Sequence, residues 1–264
     1  MTGLVFAEWR RLAAGRLWLW GLLAAIGSGG VIGLLALVGP ENFDPPLPGL
    51  ETATGTRMVL GLLGFFAFVP ALLGTTAVAA EYRHQTITTT MLFAPRRWTV
   101  LVAKLVAYTA AGLAYGLANA VVAGSMLFAA AAVKGIALGL PTAVVLGLLS
   151  RIAVTMTVYT LLGVAVGALL RNQVAALAVL GGYFYALETA LLVIPGINQL
   201  YPYLPGGATA ALTGFTYMAD AVASQTGTTT ATLLSAPLGA AVLLSYALLA
   251  ALAAIAAPLR KDIT

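Results

Sequence analysis

The chain has no cysteine and a single histidine, His84, among its 264 residues. Disulfide frameworks and thiolate metal sites are therefore excluded, and one histidine does not make a zinc site of the usual kind. Charged residues are also scarce, at 8% of the chain, whereas a soluble domain carries about 25%. With 61% hydrophobic residues, so few charges cannot cover a water-facing surface. Lipid must be the solvent for much of this protein.

The groups that membrane enzymes use are missing as well. Serine hydrolysis needs a base beside the nucleophile, and aspartyl proteolysis needs paired aspartates. The aspartates Asp44, Asp220 and Asp262 all fall in predicted loops or in the tail. There is no GxxxxGK[ST] motif, so the chain cannot hydrolyse a nucleotide through a P-loop of its own. We predict that it is not an enzyme and that it binds no cofactor and no metal.

Six apolar stretches are long enough to cross a bilayer, since a spanning helix needs about 20 residues. They cover approximately residues 19–38, 58–80, 101–132, 152–170, 174–194 and 236–257. Residues 135–150 are apolar too, and they form either an interfacial turn or the start of a long fourth helix. A 30-residue helix would be ~45 Å long, against a hydrocarbon core of ~30 Å. The predicted fold is all-α and polytopic, with one transmembrane domain over residues 1–264.

Two segments outside the spans have patterns of their own. Residues 1–17 place Val5, Trp9 and Leu12 on one helical face, which predicts an amphipathic helix in the membrane interface; the alternative is a merely basic flank. Residues 197–235 are polar and broken by proline and glycine. They predict an external segment whose short apolar pieces dip into the membrane without crossing it.

The positive charges predict the orientation. With the N-terminus in the cytoplasm, ten of the 13 lysines and arginines are cytoplasmic, and only Arg57, Lys134 and Arg151 are outside. This follows the positive-inside bias. We therefore predict a multi-pass protein with both termini cytoplasmic, and the basic residues need no nucleic acid to explain them.

The most specific feature is the predicted cytoplasmic loop at residues 81–99. Its charged ends enclose a short helix-compatible centre that breaks at Pro95. Met91, Leu92 and Phe93 are too apolar for a loop that meets only water, so they predict a docking surface. The alternative is a connector that lies along the membrane.

The loop resembles that of ABC transporter permeases, in particular the second-type six-helix exporter family, with its pattern E-Y/F-R-x-G-T…L-L…P-x-R/S-R and a lysine entering the third helix. The matching residues are Glu81, Tyr82, Arg83, Thr86, Met91, Leu92, Pro95, Arg97 and Lys104. Gln85 replaces the usual glycine. The stretch from Gly163 to Asn172 also resembles the end of the family's fourth helix, and residues 203–208 resemble its external segment before the last helix.

The resemblance implies a permease in the bacterial plasma membrane, paired as a homodimer or with a similar permease. Two separate ABC ATPase subunits, which bind ATP and Mg, would dock beneath the pair. The substrate would be a small amphipathic or hydrophobic molecule, such as a drug, an antibiotic or a lipid-like compound, and it would leave the cell. Residues 1–17 would be the elbow helix, and the loop would hold the coupling helix. The residues that would form or flank the ATPase contact are Glu81, Arg83, Thr86, Met91, Leu92 and Phe93.

An alternative function is a self-contained channel or an ion-coupled secondary transporter. The latter needs several ionisable residues at membrane depth, and Glu188 is the one clear example here. Its carboxylate costs ~2.5 kcal/mol or more near the bilayer centre, so it should face protein or water. It could pair with Arg151, within one chain or across a dimer, or line the outer pathway and meet a cationic or polar part of the substrate. It could also simply be neutral, or hydrogen-bonded to a neighbour such as Tyr183 or Tyr185.

Overall fold

The computed structural model describes residues 2–83, 97–170, 172–227 and 230–256, with the side chains of Arg83 and Arg97 excepted. Within these residues the regular elements are all helical, and no strand occurs. The helices are α1 (Thr2–Ala14), α2 (Leu17–Val38), α3 (Ala53–Tyr82), α4 (Arg97–Lys134), α5 (Thr142–Leu170), α6 (Gln173–Val193), α7 (Pro205–Thr213), α8 (Tyr217–Thr226) and α9 (Ala236–Ala256).

Six of the described helices are long and apolar enough to cross a membrane: α2, α3, α4, α5, α6 and α9. Their outward faces carry exposed large apolar side chains, such as Leu34, Val121 and Leu248. Those faces suit lipid, since an apolar surface of this extent is not found on ordinary soluble domains. The protein is therefore a multi-pass membrane protein with the six spans that the sequence predicts.

The fourth apolar helix begins before residue 152. Helix α5 is continuous over 29 residues from Thr142, about 44 Å, so residues 142–150 are the start of a long fourth helix, one of the two alternatives that the sequence left open. Pro141 precedes its first residue, and the carbonyl of Pro141 accepts hydrogen bonds from the amides of Val144 and Val145. No helix breaker follows until the end of the span, which explains why Arg151 does not interrupt it.

Helix α5 lies at the centre of the bundle, packed against α3, α4 and α9. Helix α2 packs on α4, and the short helix α7 packs between α5 and α9. Polar groups join α2 to α4 as well: the buried Asn119 amide donates to the Ala25 carbonyl at 3.0 Å and to Ser28 Oγ at 2.5 Å.

Small-xxx-small pairs lie in three of these helix interfaces. The pairs are Gly29/Gly33, which faces α4, Gly112/Gly116, which faces α5, and Gly163/Gly167, which faces α3. A Cβ atom at Gly163 would lie only 2.0 Å from the carbonyl oxygen of Ala71, and one at Gly116 would lie 2.6 Å from that of Ala153. Such pairs let helix backbones approach closely. The chain has 29 glycines, so such pairs also arise by chance. The sequence alone therefore does not show that these pairs lie in helix interfaces.

Helix α1 packs against α4. The sequence pattern placed Glu8 away from the apolar face, but Glu8 is buried together with Leu12, whereas Trp9 is exposed. The reason for this rotation is electrostatic, because Glu8 meets a buried lysine on α4.

Candidate functional site

Four charged side chains meet where α1, α3 and α4 come together, and we call them the charge cluster: Glu8, Arg11, Glu81 and Lys104. Lys104 Nζ lies 2.6 Å from Glu8 Oε2 and 2.7 Å from Glu81 Oε1. Arg11 Nη1 lies 3.0 Å from Glu8 Oε1 and 2.9 Å from Glu81 Oε1. Because the Lys104 side chain is only 3% exposed, its charge depends on these carboxylates for compensation.

The charge cluster joins the two spans that flank residues 84–96. Glu81 lies at the end of α3, and Lys104 lies within the first turns of α4. Both are linked to α1 through Glu8 and Arg11. The N-terminal helix and the two flanking spans therefore form one electrostatically connected unit.

Most of the predicted ATPase contact lies outside the described residues. Thr86, Met91, Leu92 and Phe93 all do, and of Arg83 only the backbone is described. The side chain of Glu81 is described, and it lies in the charge cluster with 12% of its surface exposed. The sequence analysis did not connect Glu8 or Arg11 with Glu81. A carboxylate in an amphipathic helix does, however, need a partner when it is buried.

A pocket of about 680 Å³, counted out to its open mouth, lies between α3, α6 and α7. Glu188 is the only charged residue among the described residues that line it. Seven aromatic side chains line it: Phe65, Phe68, Tyr159, Phe184, Tyr185, Tyr201 and Phe215. We call it the Glu188 pocket.

Two spans leave regular α-helical geometry at the Glu188 pocket. Residues Leu62–Ala67 of α3 form a 3₁₀ segment, and residues Gly182–Leu187 of α6 form a π segment. One result is a direct link across the pocket wall, in which the Tyr185 hydroxyl donates to the carbonyl of Phe65 at 3.1 Å. Segments of π-helix inside α-helices frequently occur at functional sites.

Glu188 caps the N-terminus of α7. Its Oε1 accepts hydrogen bonds from the backbone amides of Gly206 at 2.6 Å and Gly207 at 3.2 Å. The first amides of a helix have no partner within it, and its N-terminus has a partial positive charge. Leu204, the residue before the helix, has no side chain that could cap it. The carboxylate, 4% exposed, therefore supplies what α7 lacks.

The two glycines make this contact possible. A Cβ atom at Gly206 would lie 2.7 Å from Glu188 Oε1, and one at Gly207 would lie 1.8 Å from the carbonyl oxygen of Tyr201. Sequence reasoning singled out this Pro-Gly-Gly stretch and Glu188 separately. The structure brings them together.

Glu188 and Arg151 do not form an ion pair within the part of the chain that the structure describes. Arg151 Nη1 instead donates to the carbonyl of Leu212 at 3.3 Å, in the last turn of α7. A carboxylate thus lies at the N-terminus of α7 and a guanidinium at its C-terminal end, which is the arrangement that a helix dipole favours. The predicted hydrogen bond from Tyr183 or Tyr185 to Glu188 is likewise absent among the described residues.

Tyr201 belongs to the wall of the pocket but lies outside the spans. Burial raises the pKa of its hydroxyl above the ordinary value, and the Glu188 carboxylate raises it further. Tyr201 therefore stays a neutral phenol at physiological pH, which leaves Glu188 as the one acidic group of the pocket that can hold a charge.

The described residues contain no group of three or more His, Cys, Asp or Glu side chains arranged to hold a metal ion. Comparison of the chain with models of known protein families gives no match, and comparison with curated proteins gives no match either.

Proposed function

We propose that this chain is the membrane-spanning permease subunit of an ATP-driven ABC exporter. It would move a small amphipathic or hydrophobic substrate out of the cell, powered by a separate ATPase. The six spans are compatible with a membrane transporter, and the resemblance of residues 81–104 to the permease loop supports the class. In this proposal two permease chains pair, alike or similar, and two ATPase subunits dock on the cytoplasmic face of the bacterial plasma membrane.

The observation that carries the proposal is the charge cluster. A partner that pushes on residues 84–96 would act on the ends of α3 and α4, and these are bound to α1 through Lys104, Glu81 and Glu8. Breaking such a buried pair costs about 3–5 kcal/mol, so the three helices would move together. A displacement imposed at the loop would then reach the spans instead of being absorbed locally.

The proposal is tested by changing the apolar part of the loop. The chain is co-expressed with a candidate ABC ATPase from the same organism, and Met91 and Phe93 are replaced by Asp. We expect the ATPase to co-purify with the unchanged permease, and the double variant to insert normally while losing transport coupled to ATP hydrolysis. Apolar anchors with a polar rim carry most of the energy of such contacts.

A control replaces two exposed apolar residues of α9, Leu248 and Leu252, with Ala. This variant should keep both ATPase binding and transport. If the Asp variant transports as well as the unchanged chain does, the loop is not the ATPase contact.

A further inference from the structure

We propose that the Glu188 pocket binds the positively charged end of an organic cation, a lipophilic amine or a quaternary ammonium or phosphonium compound. The inference rests on the proposed function only in naming this ligand as the exported substrate. Binding itself requires nothing but the pocket. The occupant is identified by three properties of the pocket: a half-used buried carboxylate, the absence of a basic lining residue, and aromatic walls.

The carboxylate has a free acceptor. Oε1 of Glu188 accepts both amide hydrogen bonds from α7, whereas Oε2 accepts none from any residue that the structure describes. Each carboxylate oxygen can accept two hydrogen bonds. The Glu188 side chain is 4% exposed, lines the pocket and has one oxygen without a hydrogen bond. That oxygen can accept a hydrogen bond from a ligand or contact a cation.

The charges around the pocket exclude an anion. A bare helix N-terminus would attract one, but Glu188 already occupies that end of α7. The nearest basic groups are at the other end of the helix: Arg151 bonds to the Leu212 carbonyl, and Arg57 lies beside Gly214. Neither arginine lines the pocket. An incoming group therefore meets one carboxyl side chain and no basic side chain among the described lining residues.

The aromatic walls suit a cation. The rings of Phe68 and Phe184 are 6.4 Å apart between centroids, those of Phe68 and Tyr185 are 5.2 Å apart, and those of Tyr159 and Phe184 are 5.0 Å apart. Faces of aromatic rings attract cations, and aromatic cages recognise quaternary ammonium groups. A single carboxylate does not make a site for a metal ion, which needs several oxygen ligands. We therefore assign the pocket to an organic cation.

The pocket is open at its mouth, so only the charged end of a ligand has to fit inside it. Ligand pockets are mainly apolar with a few placed polar groups. Leu192, Phe215 and Met218 supply apolar surface away from the carboxylate. An amphipathic cation would place its charge at Glu188 and its apolar body against these residues.

The test uses two probes of nearly the same shape and opposite charge. The full chain is purified in a neutral detergent, and binding of tritiated tetraphenylphosphonium is measured by scintillation proximity, with tetraphenylborate as competitor. We expect saturable binding of the cation at one site per chain, and no competition from the borate. Absence of saturable binding, or equal competition by the borate, would overturn the proposal.

The variant Glu188→Gln keeps an oxygen that can cap α7 and removes the charge. We expect it to weaken tetraphenylphosphonium binding about 10- to 100-fold, because the attraction between opposite charges in a site of low dielectric is lost. Glu51→Gln is the matched control, because it removes the same charge from an exposed loop position and should leave the affinity unchanged. Equal affinities of the folded Glu188→Gln and Glu51→Gln proteins would contradict the assignment.

A second variant keeps the proposal testable if Glu188→Gln does not fold. Phe184→Leu retains an apolar side chain and loses the aromatic face, so affinity for the cation should fall several-fold. An unchanged affinity in this variant would contradict a role of the aromatic side chains in binding the cation. The assay needs no ATPase, so a failed binding result refutes the pocket assignment alone. The permease proposal is tested separately, by measuring ATP-coupled transport.

Discussion

Glu188 and Arg151 act on each other through a helix and not through direct contact. The carboxylate bonds to the first amides of α7 and the guanidinium to a carbonyl of its last turn. Helix α7 has only nine residues, too few to be stable by itself in water. Its position within the bundle therefore depends on these two charges together with its packing against α5 and α9.

Removing the Glu188 side chain should destabilise the protein more than neutralising its charge does. Glu188→Ala leaves the amides of Gly206 and Gly207 buried without an acceptor, which costs about 1–3 kcal/mol. Glu188→Gln retains an acceptor oxygen and should cost less. Thermal unfolding of the two purified variants in detergent measures the difference. Equal unfolding midpoints would show that Glu188 does not cap α7.

The ion pair between Glu41 and Lys134 lies at the end of the bundle opposite the charge cluster, with 2.8 Å between Oε1 and Nζ. The hydrogen bond from Lys134 lowers the pKa of Glu41 below its ordinary value of 4.5. A carboxyl group with a lowered pKa in the folded state adds stability above its unfolded-state pKa, and this stability is lost as the pH falls through the folded-state pKa. The effect should be small, because the Glu41 side chain is 40% exposed.

The variant Glu41→Gln tests the direction of this dependence of stability on pH. The variant should be slightly less stable than the unchanged protein at pH 7, and the difference should shrink as the pH falls below about 4.5, the ordinary pKa. Unfolding temperatures of both proteins across that range give the answer. A difference that grows on acidification would contradict the pairing.

At the scale of helices, close backbone contact holds α5 against its neighbours. Gly163→Ala would place a methyl group 2.0 Å from the Ala71 carbonyl oxygen, so α3 and α5 would have to separate. Overpacking of this kind costs about 1–3 kcal/mol. Gly147→Ala, on the same helix, is the control, since nothing lies within 4 Å of its added Cβ.

Gly163→Ala should lower the unfolding temperature clearly, and Gly147→Ala should leave it unchanged or raise it slightly, because alanine favours the helix. Thermal unfolding of the two purified variants under identical conditions makes the comparison. If both variants lose stability equally, the contact between Gly163 and Ala71 is not what joins these helices.

The sequence predicted the number of spans because apolar runs of about 20 residues are a strong signal. It left the start of α5 open, since an apolar stretch fills residues 142–150 and no residue in it marks where lipid begins. It also missed α7 as the partner of Glu188, because the groups that bind the carboxylate are backbone amides. These have no side-chain signature, and only the fold brings residue 188 to residue 206.

The pairing within the charge cluster was likewise not predictable from the sequence. Lys104 and Glu81 stood out in the loop pattern, and Glu8 in the N-terminal helix, yet their pairing spans 96 residues of sequence between Glu8 and Lys104. Periodicity assigns a residue to a face of its own helix and does not show which other helix meets that face. A buried lysine decided the rotation of α1, against the apolar pattern.

At the scale of the whole molecule, the charge cluster and the Glu188 pocket lie toward opposite ends of the same bundle. Helix α3 runs between them, from the 3₁₀ segment that lines the pocket to Glu81 in the cluster. Helix α3 therefore connects the charge cluster with the wall of the pocket. In the proposed exporter this helix would connect ATP hydrolysis at one end with substrate release at the other.

The most direct test of the central claim is transport in proteoliposomes that contain the chain with or without its ATPase. We predict that a lipophilic cation such as tetraphenylphosphonium moves faster than its passive leak across protein-free liposomes only when the ATPase and Mg-ATP are both present, and that the chain alone adds nothing to that leak. Full transport by the chain alone in liposomes free of ATP would contradict it, and would identify a channel or an ion-coupled transporter instead.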